Sequence, residues 1–130
     1  MNKIAVREDD YLRLSALAKA VRTSTRPERA NALDERLRKA LIFTGQEWLG
    51  KVVVMDSMVT LIDPDDGESY TYQLVFPSEA DISQGRISVL TPLGAALLGR
   101  REGESFTYES PGGSMNAKVE RVETLELEPA

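Results

Sequence analysis

The run Ile87–Gly99, Ile-Ser-Val-Leu-Thr-Pro-Leu-Gly-Ala-Ala-Leu-Leu-Gly, constrains the fold of this chain more tightly than any other stretch. It opens with β-prone residues, turns at Thr91-Pro92 and continues as leucine, alanine and glycine. Thr91 suits a helix N-cap, where its hydroxyl accepts from a backbone N–H of the first turn. Pro92 suits the first helical position, which needs no intrahelical N–H. Gly99 suits the left-handed position just past a helix end. Leu93, Ala96 and Leu97 recur at helical spacing, with Ala95 and Leu98 beside them, so the helix is apolar nearly all round. Such a helix must be enclosed. The run predicts a buried helix entered through a polar corner.

The flanking sequence supplies the cover. Lys51–Met55 and Met58–Asp63 are rich in valine and read as strands, separated by the Pro64-Asp-Asp-Gly67 turn from the alternating Tyr70, Tyr72, Leu74 and Phe76. Pro77 closes that strand, and Ser78–Arg86 reads as a polar loop. Beyond the helix, Phe106 and Tyr108 share one face of a strand over Ser105–Glu109, and Pro111-Gly112-Gly113 is a strong turn. The last strand, about Met115–Leu125, slips phase at Val122 as a bulge would produce. The expectation for this part is a mostly antiparallel sheet curled around one helix.

The first third has a different period. Asp9 and Asp10 offer a helix cap, and Tyr11, Leu14, Leu17, Ala18 and Val21 fall on one face. Turn formers over Arg22–Arg29 break the pattern. Thr25 and Glu28 have capping-box spacing, Pro27 sits early in the next helix, and Asn31 is a rival cap. Ala30, Leu33, Leu37, Ala40 and Leu41 make a second stripe that Thr44-Gly45 ends. Two short amphipathic helices with a brief connection fold back as an antiparallel hairpin, each arm roughly 20 Å long. The predicted class is α+β, with a hairpin over 1–46 and a sheet-and-helix domain over 47–130.

Composition narrows the chemistry. The chain has no cysteine and no histidine, which excludes thiolate and imidazole ligands, disulfides and imidazole bases. Its net charge of −5 divides unevenly: residues 1–50 carry 10 Lys/Arg against 7 Asp/Glu, whereas residues 51–130 carry 6 against 14. The acidic part argues against general nucleic-acid binding. No membrane span or signal peptide is visible, so a cytoplasmic location is expected. The adjacent carboxylates Asp9-Asp10 and Asp65-Asp66 sit at a helix start and a turn, where structural roles suffice. The Asp63–Gly67 run fails as a calcium loop, because the motif would place Ile62 and Gln73 where acids belong. Pro111-Gly-Gly113 lacks the lysine and spacing of a phosphate loop. No catalytic constellation emerges, and neither a metal nor a cofactor is expected. Trp48 reads as a packing residue at the junction of the two parts. Arg22, Arg26 and Arg29 cluster at the hairpin bend, where as a group they could meet an acidic partner or a phosphate.

With these residues in place, the second part resembles the C-terminal domain of the bacterial Gre transcript-cleavage factors, and more closely the Rnk (regulator of nucleoside diphosphate kinase) branch. The carrying residues are Val53-Val-Met-Asp-Ser-Met-Val59, Tyr72-Gln-Leu-Val-Phe-Pro77, the Ile87–Gly99 run, Gly103-Glu104 and Pro111-Gly-Gly113. The resemblance implies an FKBP-like fold for this domain and an N-terminal helical hairpin, a short coiled coil. It further implies docking at the rim of the RNA polymerase secondary channel. Carried over by position, the polymerase-facing corner is Ser88, Val89, Leu90, Thr91 and Pro92.

The chain departs from the cleavage factors at the hairpin, which is much shorter. Its tip (Arg22, Arg26, Glu28, Arg29) lacks the acidic pair that helps hold a catalytic magnesium ion in those factors. The expected function is therefore a non-enzymatic transcription regulator that binds polymerase without stimulating cleavage and competes with other channel binders. The alternative is an FKBP-like prolyl isomerase or peptide-binding module. Any effect on nucleoside diphosphate kinase is expected to be indirect, since no nucleotide-binding motif is present.

Overall fold

A computed structural model describes residues 4–43 and 52–124. The elements run β1 (Ile4–Arg7), α1 (Glu8–Arg22), a 3-10 turn (Pro27–Ala30), α2 (Asn31–Arg38) and β2 (Ala40–Phe43), followed by β3 (Met58–Ile62) and β4 (Ser69–Val75). Two further 3-10 turns (Pro77–Glu79 and Ile82–Gln84) lead into β5 (Arg86–Ser88), α3 (Pro92–Leu97), β6 (Ser105–Ser110) and β7 (Gly113–Glu123). Trp48, Thr44-Gly45 and the chain's last residues lie outside the described residues. Among the described residues, no helix is long and apolar enough to cross a membrane.

Five strands form one sheet in the order β5-β4-β3-β7-β6, antiparallel except for the β4–β5 pair. The class is α+β, with the sheet curled around α3 as expected. The bulge is present as well. Thr60 pairs with Arg121 and Leu61 with Val119, so Glu120 is the extra residue. The register shift lets Val119 and Val122 both enter the core although they are an odd three positions apart.

Four local expectations are corrected. The second helix stops at Arg38; Ala40–Phe43 instead pairs in parallel with β1. Asp9 and Asp10 do not cap α1, which begins at Glu8 behind Arg7; Asp10 is turned inward and 1% exposed. The Thr25–Glu28 capping box does not form, because the chain there enters a 3-10 turn at Pro27 with no side-chain cap. In addition, Val52 makes only an isolated bridge to Arg101, so Val52–Met55 is buried chain and not a strand.

The helices and the sheet share one core. Leu14 and Ala18 of α1, Ala30 and Leu33 join Val53, Met55, Val59, Leu74, Val89, Leu97, Leu98 and Val119 in a single buried cluster. Arms too short to persist alone are thus stabilised by packing on the body. The hairpin does run antiparallel, since Arg22 at the end of α1 reaches Asp34 near the start of α2 at 2.5 Å. A second, smaller cluster of Ala5, Phe43, Val52 and Val54 lies beneath the β1–β2 ribbon.

Candidate functional site

The corner between β5 and α3 is built by its own hydrogen bonds. The Ser88 carbonyl accepts both the Thr91 amide (3.1 Å) and the Thr91 hydroxyl (2.8 Å), while the Ser88 hydroxyl accepts the Leu90 amide (3.0 Å). The Thr91 oxygen in turn accepts the Gly94 amide at 3.0 Å, which makes it the N-cap that the sequence predicts. Gly94 is required by close approach: a Cβ there would lie 2.0 Å from the Ser88 carbonyl oxygen. The loop is therefore held in one shape before any partner arrives.

The five predicted docking residues are not equally available. Thr91 and Pro92 are exposed, Ser88 and Leu90 are half-buried, and Val89 is fully buried, its amide bonded to the Val75 carbonyl at 3.0 Å. Val89 anchors the corner from below and has no surface to offer. Immediately beyond Pro92, Leu93 lines a cleft of about 200 Å³ together with Leu61, Asp63, Tyr70, Tyr72, Tyr108 and Met115. Burial, then Tyr72 and Asp63, raises the Tyr108 phenol above its usual range. At neutral pH its hydroxyl is a donor in a cleft whose lining mixes Leu61, Leu93 and Met115 with the polar Asp63 and Asn116.

The opposite end of α3 is held by two arginines. Arg100 Nε donates to the Ala96 carbonyl (2.6 Å), and its Nη1 to Glu104 (2.7 Å). Arg36, on α2, donates from Nε to the Ala95 carbonyl (3.0 Å) and from Nη2 to the Leu98 carbonyl. Burial, and then the nearby Arg100, push the Arg36 guanidinium down to about 10, with Glu104 opposing. It still carries its charge at neutral pH, and the helix C-terminus is where that charge is favoured.

At the far end of the hairpin, Arg22, Arg26, Glu28 and Arg29 are all exposed. Arg22 is committed to Asp34. Glu28 is the one carboxylate in the Arg22–Arg29 segment. The hairpin tip and the Thr91-Pro92 corner are thus separate surfaces on one frame.

Sequence reasoning missed two residues that join this frame together, Arg36 and Asp10. Both carried a signal. Arg36 is three residues after Leu33, and Asp10 is four and eight residues before Leu14 and Ala18, so each polar group sits on a buried helical face. Asp10 uses its position to accept the Met55 amide (2.9 Å) and a bond from Arg7 (3.3 Å). The tyrosine cleft was missed too, because its tyrosines come from β4 and β6, which the sheet order separates.

Comparison with known proteins places this geometry. A family model described as "Transcription elongation factor, GreA/GreB, C-term" matches residues 49–124. Over 82 residues the chain is 46% identical to transcription elongation factor GreA of Vibrio parahaemolyticus, covering 63% of this chain and 52% of that protein. Over 94 residues it is 37% identical to GreA of Listeria welshimeri, covering 72% and 59%. The chain spans between about half and three-fifths of the length of these curated relatives. A prokaryotic transcription elongation factor GreA/GreB from Nitrosomonas europaea superposes with a TM-score of 0.76 at 30% identity, over 95% of this chain and 99% of that one. The GreA factor homolog 1 (Gfh1) of Thermus thermophilus, at 23% identity and a TM-score of 0.52 over 94% and 99%, shares the fold.

Proposed function

From the premise that this chain belongs to the GreA/GreB transcription elongation factor family, we propose that it is a non-enzymatic regulator that binds bacterial RNA polymerase at the secondary-channel rim. It docks through the exposed Thr91-Pro92 corner and the adjoining tyrosine cleft. It competes there with Gre-type cleavage factors and does not itself stimulate transcript cleavage. The observation that carries the reading is the corner. An exposed Thr-Pro step locked by four hydrogen bonds and a close-packed glycine is preorganised, and preorganisation lowers the entropic cost of binding.

The reading without cleavage rests on the tip. Magnesium takes several oxygen ligands, and a single carboxylate among three arginines is a poor start for one. Reach argues the same way. The hairpin is closed at its base by the β1–β2 ribbon, so α1 sets its length at roughly 22 Å.

A pull-down of purified polymerase on the immobilised chain, with a Gre factor as competitor, tests the docking. Retention that falls as competitor is added supports the proposal; no retention overturns it. Stalled elongation complexes incubated with the protein should keep their RNA 3′ ends, and shortened transcripts would contradict the non-cleavage reading. A second reading, a peptide-binding module or prolyl isomerase, is favoured by the aromatic cleft lined by Tyr70, Tyr72 and Tyr108. A short-peptide isomerisation assay separates the two.

A further inference from the structure

The two ends of α3 serve different parts of the molecule. Its N-terminus carries the Thr91-Pro92 corner, and its C-terminal carbonyls are held by Arg100 from the body and by Arg36 from the hairpin. Helix α1 has its own ties: Asp10 accepts the Met55 amide at 2.9 Å, and the Arg13 guanidinium lies 4.2 Å over the Phe76 ring. Helix α2, which returns from the hairpin tip, reaches α3 through Arg36.

We propose that Arg36 is a positioning residue. By bonding the Ala95 and Leu98 carbonyls at once, it locks the hairpin to the helix that presents the docking corner. A partner gripping Thr91-Pro92 thereby fixes where the tip with Arg26 and Arg29 points. The inference rests on the docking reading for its partner but not for its geometry. Arginine is the residue that can do this, because its planar fork holds two acceptors in fixed directions, whereas a lysine ammonium is a point donor on a flexible stem. Packing alone does not set the direction as tightly, since apolar contact is non-directional.

The chain has no native cysteine, so nitroxide labels can be placed at two exposed positions, Thr25→Cys at the tip and Lys118→Cys on β7. The distance distribution between them is measured in the full chain, in R36K and in R36M, which keeps an apolar stem without donors. A narrow single distance in the parent, a broader one in R36K and the broadest in R36M is the expected order. Equal widths in the parent and R36M overturn the proposal; if R36M does not fold, equal widths in the parent and R36K do so.

The functional arm uses purified polymerase. R36M leaves the corner's own bonds in place but frees the hairpin's direction, so its retention and its power to displace a Gre-type factor should fall together, by about tenfold, or ~1.4 kcal/mol. Retention and displacement both equal to the parent's would overturn the claim that a fixed hairpin direction serves docking. Failure of the parent itself to bind would overturn the docking reading, while the label distances would still decide the role of Arg36.

Discussion

Asp56 is the one described non-glycine residue with a left-handed backbone, at φ 71°. It sits half-buried in the turn before β3, where burial first, then Glu79 and Asp10, raise its carboxyl above 3.8, with Arg13 and Arg7 opposing. A carboxyl raised on folding adds stability below its unfolded value, and that contribution is lost as pH rises through the folded value. At pH 7 the ionised group is therefore a cost. Asparagine cannot ionise and tolerates the left-handed region well. Asp56→Asn should raise the unfolding temperature at pH 7, measured by circular dichroism, and the gain should vanish near pH 3 where both side chains are neutral. At the corner, Thr91→Ala should cost about 1 kcal/mol in urea unfolding through loss of the cap, and Thr91→Ser should restore most of it. Gly94→Ala should cost more, about 2–3 kcal/mol, because the new methyl meets the Ser88 backbone and not a movable side chain.

The elements were legible where a local period and a local stop signal agreed. Thr91, Pro92 and Gly99 bracket α3 as the sequence predicts, and Gly99 takes a φ of 81°. The bulge was also visible, as a phase slip between Val119 and Val122. The β1–β2 ribbon was not, because Ala40-Leu41 continues the helical stripe and its strand partner, Ile4–Arg7, lies more than thirty residues earlier in the sequence. Long-range pairing overrode local pattern there. Asp10 failed differently: an acid at a helix start reads as a cap, yet its periodicity with Leu14 and Ala18 turned it inward to Met55. Asp10→Ala leaves the buried Met55 amide without that acceptor and should cost about 1–3 kcal/mol in urea unfolding, whereas Asp10→Asn, which keeps a carbonyl oxygen, should cost less. Equal losses for the two would show that the charge with Arg7, and not the amide bond, carries the junction. Of the candidate site, Thr91 and Pro92 were legible; the burial of Val89 and the roles of Arg36 and the tyrosine cleft depend on how distant segments meet.

At the scale of the whole molecule, one apolar cluster runs from α1 and α2 through α3 into the sheet. The hairpin and the body should therefore unfold together: helix dichroism and tyrosine fluorescence should report coincident transitions in urea, and a separate early loss of helix would contradict the shared core. Charge is divided along the chain, with basic residues in excess over residues 1–50, which include the hairpin tip, and acidic residues in excess over 51–130. The central claim is that the held surface is the Thr91-Pro92 corner. Its most direct test is the affinity of purified RNA polymerase for the immobilised chain, parent beside Pro92→Glu, an acidic residue that a first helical turn accepts. The account predicts a loss of at least about tenfold, ~1.4 kcal/mol, for Pro92→Glu with its unfolding temperature unchanged. Affinity equal to the parent's would contradict it.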